Sequence, residues 1–403
     1  MKQSNNFQVA IIGGGASGLA AALTLKRLRP ELSVVIFEKK EQTGKKLGAT
    51  GNGRCNLSNE ACSNKDEVFG FFRESGIMIR QDGEGRYYPY SEDAKQLASL
   101  LTEEALALDV QIELNREVKK VEAAPDGSFL LLVEQKEKDK ERTVHADRVL
   151  IATGGKSYPS MGTTGDGYVM ARKLGHTTVP PAPGLTAVCT DAAEMKMLKG
   201  VRAKAGVKLL YQGNCVAAEP GEIQFREDSL SGICIMNLSN HIKPHGNMSF
   251  AGYEIAVDFA WEYGVQQLED YIGAMRRLGE IPICDALKSL IKRKLAEVIA
   301  VRAGIPRDRR ISALKADERE RLIGEIKDFR IPVTGLKGWK EAQITCGGVR
   351  LEEICVETMQ SRLVPGLYFS GEVLEYAGPC GGFNLHYAWL SGIYAAKSIA
   401  ASL

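Results

Sequence analysis

Residues 8–12, QVAII, are almost wholly apolar; three glycines follow, and apolar positions then recur at helical spacing over residues 16–29, where Pro30 stops them. A β-branched run at 33–37 comes next. Strand, helix and strand within roughly 30 residues make a βαβ unit, which predicts a parallel sheet buried on both faces. Over residues 65–107 the pattern gives two helical stretches around a turn-rich middle, GIMIRQDGEGRYYPYSED. Short strands are expected at 110–114, 117–122 and 129–134, then a solvated charged tip, KEKDKER, and a return to the parallel sheet at 149–152.

From about residue 180 to 342 the texture changes to short alternating strands (206–212, 222–226, 254–258) followed by amphipathic helical stretches over 264–327. This reads as an inserted domain. Pro180, Pro181 and Pro183 mark its entrance, and Pro332, Gly335 and Gly338 precede its exit.

Composition narrows the function classes. The 403 residues are 44% hydrophobic, enough for more than one packed unit without disulfide staples. With 52 Lys and Arg against 50 Asp and Glu, the chain as a whole gives no electrostatic reason to expect a nucleic-acid partner. The polar start runs directly into a strand without a signal peptide's apolar region, and no run of about 18 apolar residues exists, so a cytoplasmic protein without a membrane span is expected. Nine cysteines, an odd number and never spaced C-x-x-C, read as reduced thiols and disfavour a flavin-to-disulfide route. His241 and His245 are four apart, but Pro244 between them argues against a helix presenting both, so no metal site is expected.

The candidate chemistry lies in glycine-rich segments. Gly13-x-Gly15-x-x-Gly18 sits between strand and helix, and Glu38 ends the next strand 20 residues beyond Gly18. Gly13 permits the tight turn, Gly15 lets the backbone approach a pyrophosphate, and Gly18 lets helix pack on strand. The helix N-terminus offers N–H groups to phosphate, and Glu38 can accept bonds from ribose hydroxyls. A second loop, GKKLGATGNGRCNLSN at 44–59, combines glycines with basic charges only. A third block, ATGGKSYP at 152–159, follows an apolar strand, and a fourth region joins LYFSGE at 367–372 to GPCGGFN at 378–384 before a last helix. A glycine and an acid after a late strand suit the ribityl and phosphate end of a flavin, which favours FAD over NAD. Asn384 is the expected N-cap of a helix aimed at the flavin pyrimidine.

These stretches, with the tail running from TCGGVRLEEICVETMQSRLVPGLYFSGEVL through EYAGPCGGFNLHYAWLSG and the turn at 225–232, resemble the BaiN-like flavoproteins over nearly the whole chain. The resemblance implies an α/β protein in three parts: a discontinuous Rossmann-type FAD-binding domain (1–185 and 343–403), an inserted β-barrel-like domain (186–260) and a helical cap (261–342). Its expected FAD contacts are Gly13, Gly15, Ala16, Ser17 and Gly18, then Glu38 and Lys39, then Lys46, Leu47, Asn52, Gly53, Arg54, Cys55 and Asn56. Further contacts are Val118, then Thr153, Gly154 and Gly155, then Gly371 and Glu372, and finally Gly381, Gly382, Phe383, Asn384 and Leu385.

Catalytic candidates are fewer. His386 follows the last glycine pair and is placed as a proton donor, the alternative being a packed histidine. Tyr88, with Tyr87 and Tyr90, is placed in the substrate pocket, the alternative being a structural cluster. The expected function is an FAD-dependent oxidoreductase that takes electrons transiently from NAD(P)H and reduces a conjugated C=C in a small organic molecule. An amine oxidase using oxygen and a flavin-bearing binding or sensor protein stand as alternatives. The sequence leaves the oligomeric state open.

Overall fold

The computed structural model of the chain describes residues 5–135, 140–245, 249–277 and 279–403. These form two compact units, Met1–Pro183 with Gln343–Leu403, and Gly184–Ala342.

In the first unit β1 (Asn6–Ile12), α1 (Ala16–Leu28) and β2 (Val34–Phe37) form the βαβ unit read from the pattern. All four residues of β2 are buried, as a strand covered on both faces requires. β1 pairs in parallel with β2, Ile12 opposite Phe37, and with the strand Lys140–Ile151, Ile12 opposite Ile151. Gln111–Glu113 extends the sheet beyond β2, and Leu367–Phe369 adds in parallel to the far side of Lys140–Ile151. The carboxyl ends of these strands share one edge, where ligands bind in open parallel sheets.

Phe129–Gln135 pairs antiparallel with both Arg116–Ala123 and the first half of Lys140–Ile151. Of the charged tip, residues 136–139 lie outside the described residues, whereas Lys140 to Arg142 belong to the strand. The turn-rich middle holds more structure than its composition indicated. Between the helices Lys65–Glu74 and Ala94–Ala107, the strands Ile79–Gln81 and Arg86–Pro89 form a hairpin extended by Ser58–Asn59. The Asp82 carboxylate shapes its turn by accepting the N–H groups of Glu84 and Arg86. The prolines expected to mark a boundary lie in a strand, Thr178–Gly184, that among the described residues pairs with Ile344–Val349 in a two-stranded sheet, an arrangement that leaves an edge for residues lacking an N–H.

The second unit is built on a seven-stranded sheet in which Arg202–Tyr211 pairs antiparallel with Asn214–Phe225 and Tyr253–Asp258. Its apolar cluster takes Val207 and Ile255 from these strands and Leu295 and Ile326 from the helices Arg293–Arg302 and Ala316–Lys327. The segments 186–260 and 261–342 therefore share one core. Among the described residues no helix is long and apolar enough to cross a membrane, and no cluster of His, Cys, Asp and Glu could hold a metal ion.

Candidate active site

The first turn is built by backbone fit. Gly13 has φ +108, and a Cβ there would lie 2.5 Å from the Ala152 oxygen; a Cβ on Gly18 would lie 2.0 Å from the Gly13 oxygen. Both positions exclude any larger residue. Gly15 is different, because a Cβ there would meet nothing within 4 Å. It precedes Ala16, the first residue of α1, and no side chain caps that helix. The first N–H groups of α1 thus face open space over Gly15, the cradle that a pyrophosphate would fill. Ser17 is buried on another face, where its backbone oxygen would lie 2.4 Å from a Cβ on Gly392 of the last helix. Its contribution is close helix packing.

Glu38 serves the protein as well as any ligand. Its carboxylate accepts the N–H of Gly14 and the N–H of Lys40, each at 2.9 Å, and so fixes the glycine turn. Burial pushes its pKa up against the pull of those two bonds. Each oxygen keeps lone pairs for a ribose hydroxyl. Lys39 turns elsewhere, to Asp166 and to Thr164 Oγ1 at 2.6 Å, and holds the turn at 162–166. Glu38, Lys39, Val118, Thr153, Gly162 and Asp166 line one small cavity beside the first turn.

A polar node joins four separate segments. Lys46 Nζ donates to Glu372 Oε2 at 2.5 Å and to Ser157 Oγ at 2.6 Å, while Glu372 Oε1 accepts from Ser157 Oγ at 2.8 Å and from the Thr345 N–H at 2.7 Å. Gly155 makes this possible, because its Cβ would lie 2.2 Å from Thr345 Oγ1. Gly154, at φ +69, turns the chain into that block. Gly371, at φ +74, donates its N–H to Ser391 Oγ of the last helix at 2.9 Å. Ser157 and Thr345 were not picked from the sequence, although Ser157 lies in the block 152–159 and Thr345 opens the tail that carries the family resemblance.

The other end of the site pairs the basic loop with the last helix. Asn52 and Gly53 are exposed with positive φ, whereas Leu47 and Cys55 are buried. The Cys55 thiol, its pKa pushed up by burial to about 12, is a neutral core group, and Leu47 packs in the same core. Asn56 Oδ1 is buried without a hydrogen-bond partner, and a Cβ on Gly382 would lie 2.6 Å from it. An orphaned buried acceptor of this kind calls for a donor from a ligand. Gly381 accepts from Asn59 Nδ2 at 2.9 Å.

The helix Phe383–Ser402 starts after Gly382 with no side-chain cap. The expected capping by Asn384 is a correction: Asn384 lies one residue inside the helix, accepts from the Gly378 N–H at 2.9 Å and donates to the Gly378 oxygen at 3.0 Å. It pins the preceding loop and leaves the first turn at Phe383, Asn384 and Leu385 open to an acceptor. Orphaned Asn56, the open turn and the cradle at Gly15 together fit FAD.

His386 does not keep its expected role as proton donor. It is buried, its Nε2 contacts the Ser63 carbonyl oxygen at 2.8 Å, and its Nδ1 meets Ser58 Oγ at 2.9 Å. A carbonyl only accepts, so Nε2 carries the proton and Nδ1 accepts from the serine. Burial lowers the imidazole pKa, keeping the ring neutral. Both nitrogens are spent inside the protein. Tyr88 is buried with a raised pKa, and the Arg54 guanidinium lies 5.0 Å over its ring. Tyr87 is tied to Glu60.

The family model described as HI0933-like protein Rossmann domain matches residues 63–398, and an NAD(P)-binding Rossmann-like domain matches residues 11–52. The 3-dehydro-bile acid delta(4,6)-reductase of Clostridium scindens is 33% identical, the alignment covering 98% of this chain and 99% of that protein. The ribosomal RNA dihydrouridine synthase of Escherichia coli is 26% identical over 98% of each chain. Among solved structures, 3-ketosteroid delta1-dehydrogenase from Sterolibacterium denitrificans, in complex with 1,4-androstadiene-3,17-dione, superposes with a TM-score of 0.53 at 13% identity, covering 99% of this chain and 100% of that one. That likeness concerns the fold. With the FAD-shaped site and the whole-length reductase relative, it follows that the chain belongs to the HI0933-like Rossmann family and is an FAD-dependent oxidoreductase.

Proposed function

We propose that the protein reduces a carbon–carbon double bond conjugated to a carbonyl in a small organic substrate, with NAD(P)H as the transient electron donor. The observation that carries this reading is the 33% identity, over nearly the full length of both chains, to a reductase of 3-dehydro bile acids. FAD, when bound, supplies the two-electron chemistry.

The chain's own residues have separable tasks. The open first turn of α1 and Gly15 receive the pyrophosphate, and Glu38 receives the adenosine ribose while holding the turn that makes the cradle. Lys46, Ser157, Thr345 and Glu372 fix the middle of the site as one hydrogen-bonded node. The open N–H groups at Phe383 to Leu385 present a positive helix end where negative charge gathers on the cofactor ring, and Asn56 accepts from the same ring.

A second reading has its own support. Dihydrouridine synthases acting on ribosomal RNA match this chain at 26% identity in two organisms. The C5–C6 bond of uracil is also conjugated to a carbonyl, so the two readings share one bond chemistry and differ in substrate class. Oxygen-free holoprotein mixed with NADH or NADPH tests the donor: bleaching of the flavin is expected, and a flavin bleached only by an amine would sink the proposal in favour of an oxidase. Reoxidation by a 4-en-3-one steroid or 2-cyclohexenone, and not by uridine-containing RNA, is the expected second half. The reverse result selects the RNA reading.

A further inference from the structure

We propose that Arg54 binds the carbonyl oxygen of the substrate and neutralises the charge that gathers there during reduction, with the ring of Tyr88 beneath its guanidinium. The inference rests on the proposed reduction of a conjugated carbonyl and adds the group that draws the electrons across. In that reaction the β-carbon takes a hydride from the reduced cofactor, the C=C pair shifts toward the carbonyl carbon, and the C=O pair moves onto oxygen. A proton from water then adds at the α-carbon and the carbonyl reforms, so hydride and proton together saturate the bond. The enolate oxygen is where a fixed cation lowers the barrier most.

Three other cations near the basic loop are already spent. Lys39 is held by Asp166 and Thr164, Lys46 by Glu372 and Ser157, and Arg86 by Asp82 at 2.7 Å and Glu84 at 2.9 Å. Arg54 has a weaker hold. Its side chain is 49% exposed, and its ion-pair partner among the described residues, Glu92, lies at 3.8 Å and also binds Arg80. That separation is too long for a hydrogen bond, and such exposed pairs contribute little. Its five N–H donors are available.

Placement makes that availability useful. Arg54 is followed by Cys55, buried and held at φ +60, and by Asn56, whose orphaned oxygen abuts Gly382 at the open start of the last helix. The loop therefore projects Arg54 from a fixed base at the cofactor-ring end. Tyr88, buried in its strand, holds the guanidinium by its face without neutralising it. A planar guanidinium can give two N–H bonds to one carbonyl oxygen, which an ammonium cannot reproduce in the same geometry.

The test compares FAD-loaded wild type, Arg54→Lys and Arg54→Ala. Oxidised holoprotein is titrated with 4-chlorophenol, whose bound phenolate mimics an enolate and gives a charge-transfer band over a flavin. Arg54→Ala is expected to bind phenolate at least 10-fold more weakly, and Arg54→Lys to fall between. In turnover of 2-cyclohexenone, kcat/KM of Arg54→Ala should drop about 100-fold and recover in part with added guanidinium ion. Arg54→Ala within threefold of wild type in both assays overturns the proposal. Loss of FAD from both folded variants overturns it too, because it assigns the guanidinium to the cofactor. If wild type reduces no enone, the proposed function falls, and the phenolate titration still decides Arg54.

Discussion

Both α1 and the C-terminal helix begin beside a glycine with no side chain over the first turn, yet the two glycines answer to different constraints. Gly15 has an extended backbone, φ −81 and ψ −169, which any residue adopts, and a Cβ there would meet nothing within 4 Å. Gly382 has φ +104, and its Cβ would lie 2.4 Å from the Ser58 oxygen. The protein itself does not require glycine at 15; the room left there is for a ligand. At 382 the requirement is internal, since the loop ending in Asn56 and Ser58 presses directly on the helix start. Two uncapped helix ends thus carry a ligand-shaped glycine at one end and a packing-shaped glycine at the other.

The largest effect should come from forcing the packing-shaped end. Gly382→Ala combines a disfavoured backbone with contact against a carbonyl, and a loss of about 2–4 kcal/mol in unfolding stability is expected. Thermal and denaturant melts measure it. A variant as stable as wild type would erase the distinction drawn between the two glycines.

Gly15→Ala should do the opposite. Its melting without FAD should match wild type, while FAD affinity, followed by quenching of flavin fluorescence, should fall by about 10- to 100-fold, or ~1.4–2.7 kcal/mol. Unchanged affinity would mean that the open space at Gly15 does not hold the pyrophosphate.

The smallest effect concerns His386, one turn into the same last helix. His386→Gln should keep turnover within about threefold of wild type, in contrast to the roughly 100-fold loss expected of a general acid. Its signature is in pH. The folded imidazole titrates below the ordinary histidine value of about 6.5, so the stability it contributes is complete above that value and is lost as pH falls through the lower folded pKa. Between pH 7.5 and 5 wild type should therefore lose more melting temperature than His386→Gln. Parallel curves would remove the linkage.

The same division explains what could be read in advance. The βαβ unit, the glycine turn and Glu38 were legible because their parts are local: each constraint acts within one strand, one turn or one helix start. Even there, the bonds that the Gly14 and Lys40 N–H groups donate to Glu38 were not legible, since a carboxylate placed for ribose and one placed for a backbone turn look alike in sequence. His386 and Asn384 misled because their partners are set by folding. His386 finds Ser58 and Ser63 more than 320 positions away, and Asn384 finds Gly378 through a loop with no periodic signal. The three-stranded sheet around Tyr88 was hidden because its strands are two to four residues long, too short for alternation to emerge from turn-rich composition.

The node of Lys46, Ser157, Thr345 and Glu372 also sets an order of events during synthesis. Lys46 and Ser157 leave the ribosome long before Thr345 and Glu372, with all of Gly184–Ala342 made in between. Until residues 367–369 emerge, one side of the strand Lys140–Ile151 has no parallel neighbour, and a strand edge waiting for its partner is a site for wrong pairing. A nascent chain arrested before that point would hold the glycine turn and Glu38 but neither the node nor the last helix. Cofactor capture thus waits for residues 367–402, and free FAD would rescue a slowly folding chain only after these have cleared the tunnel.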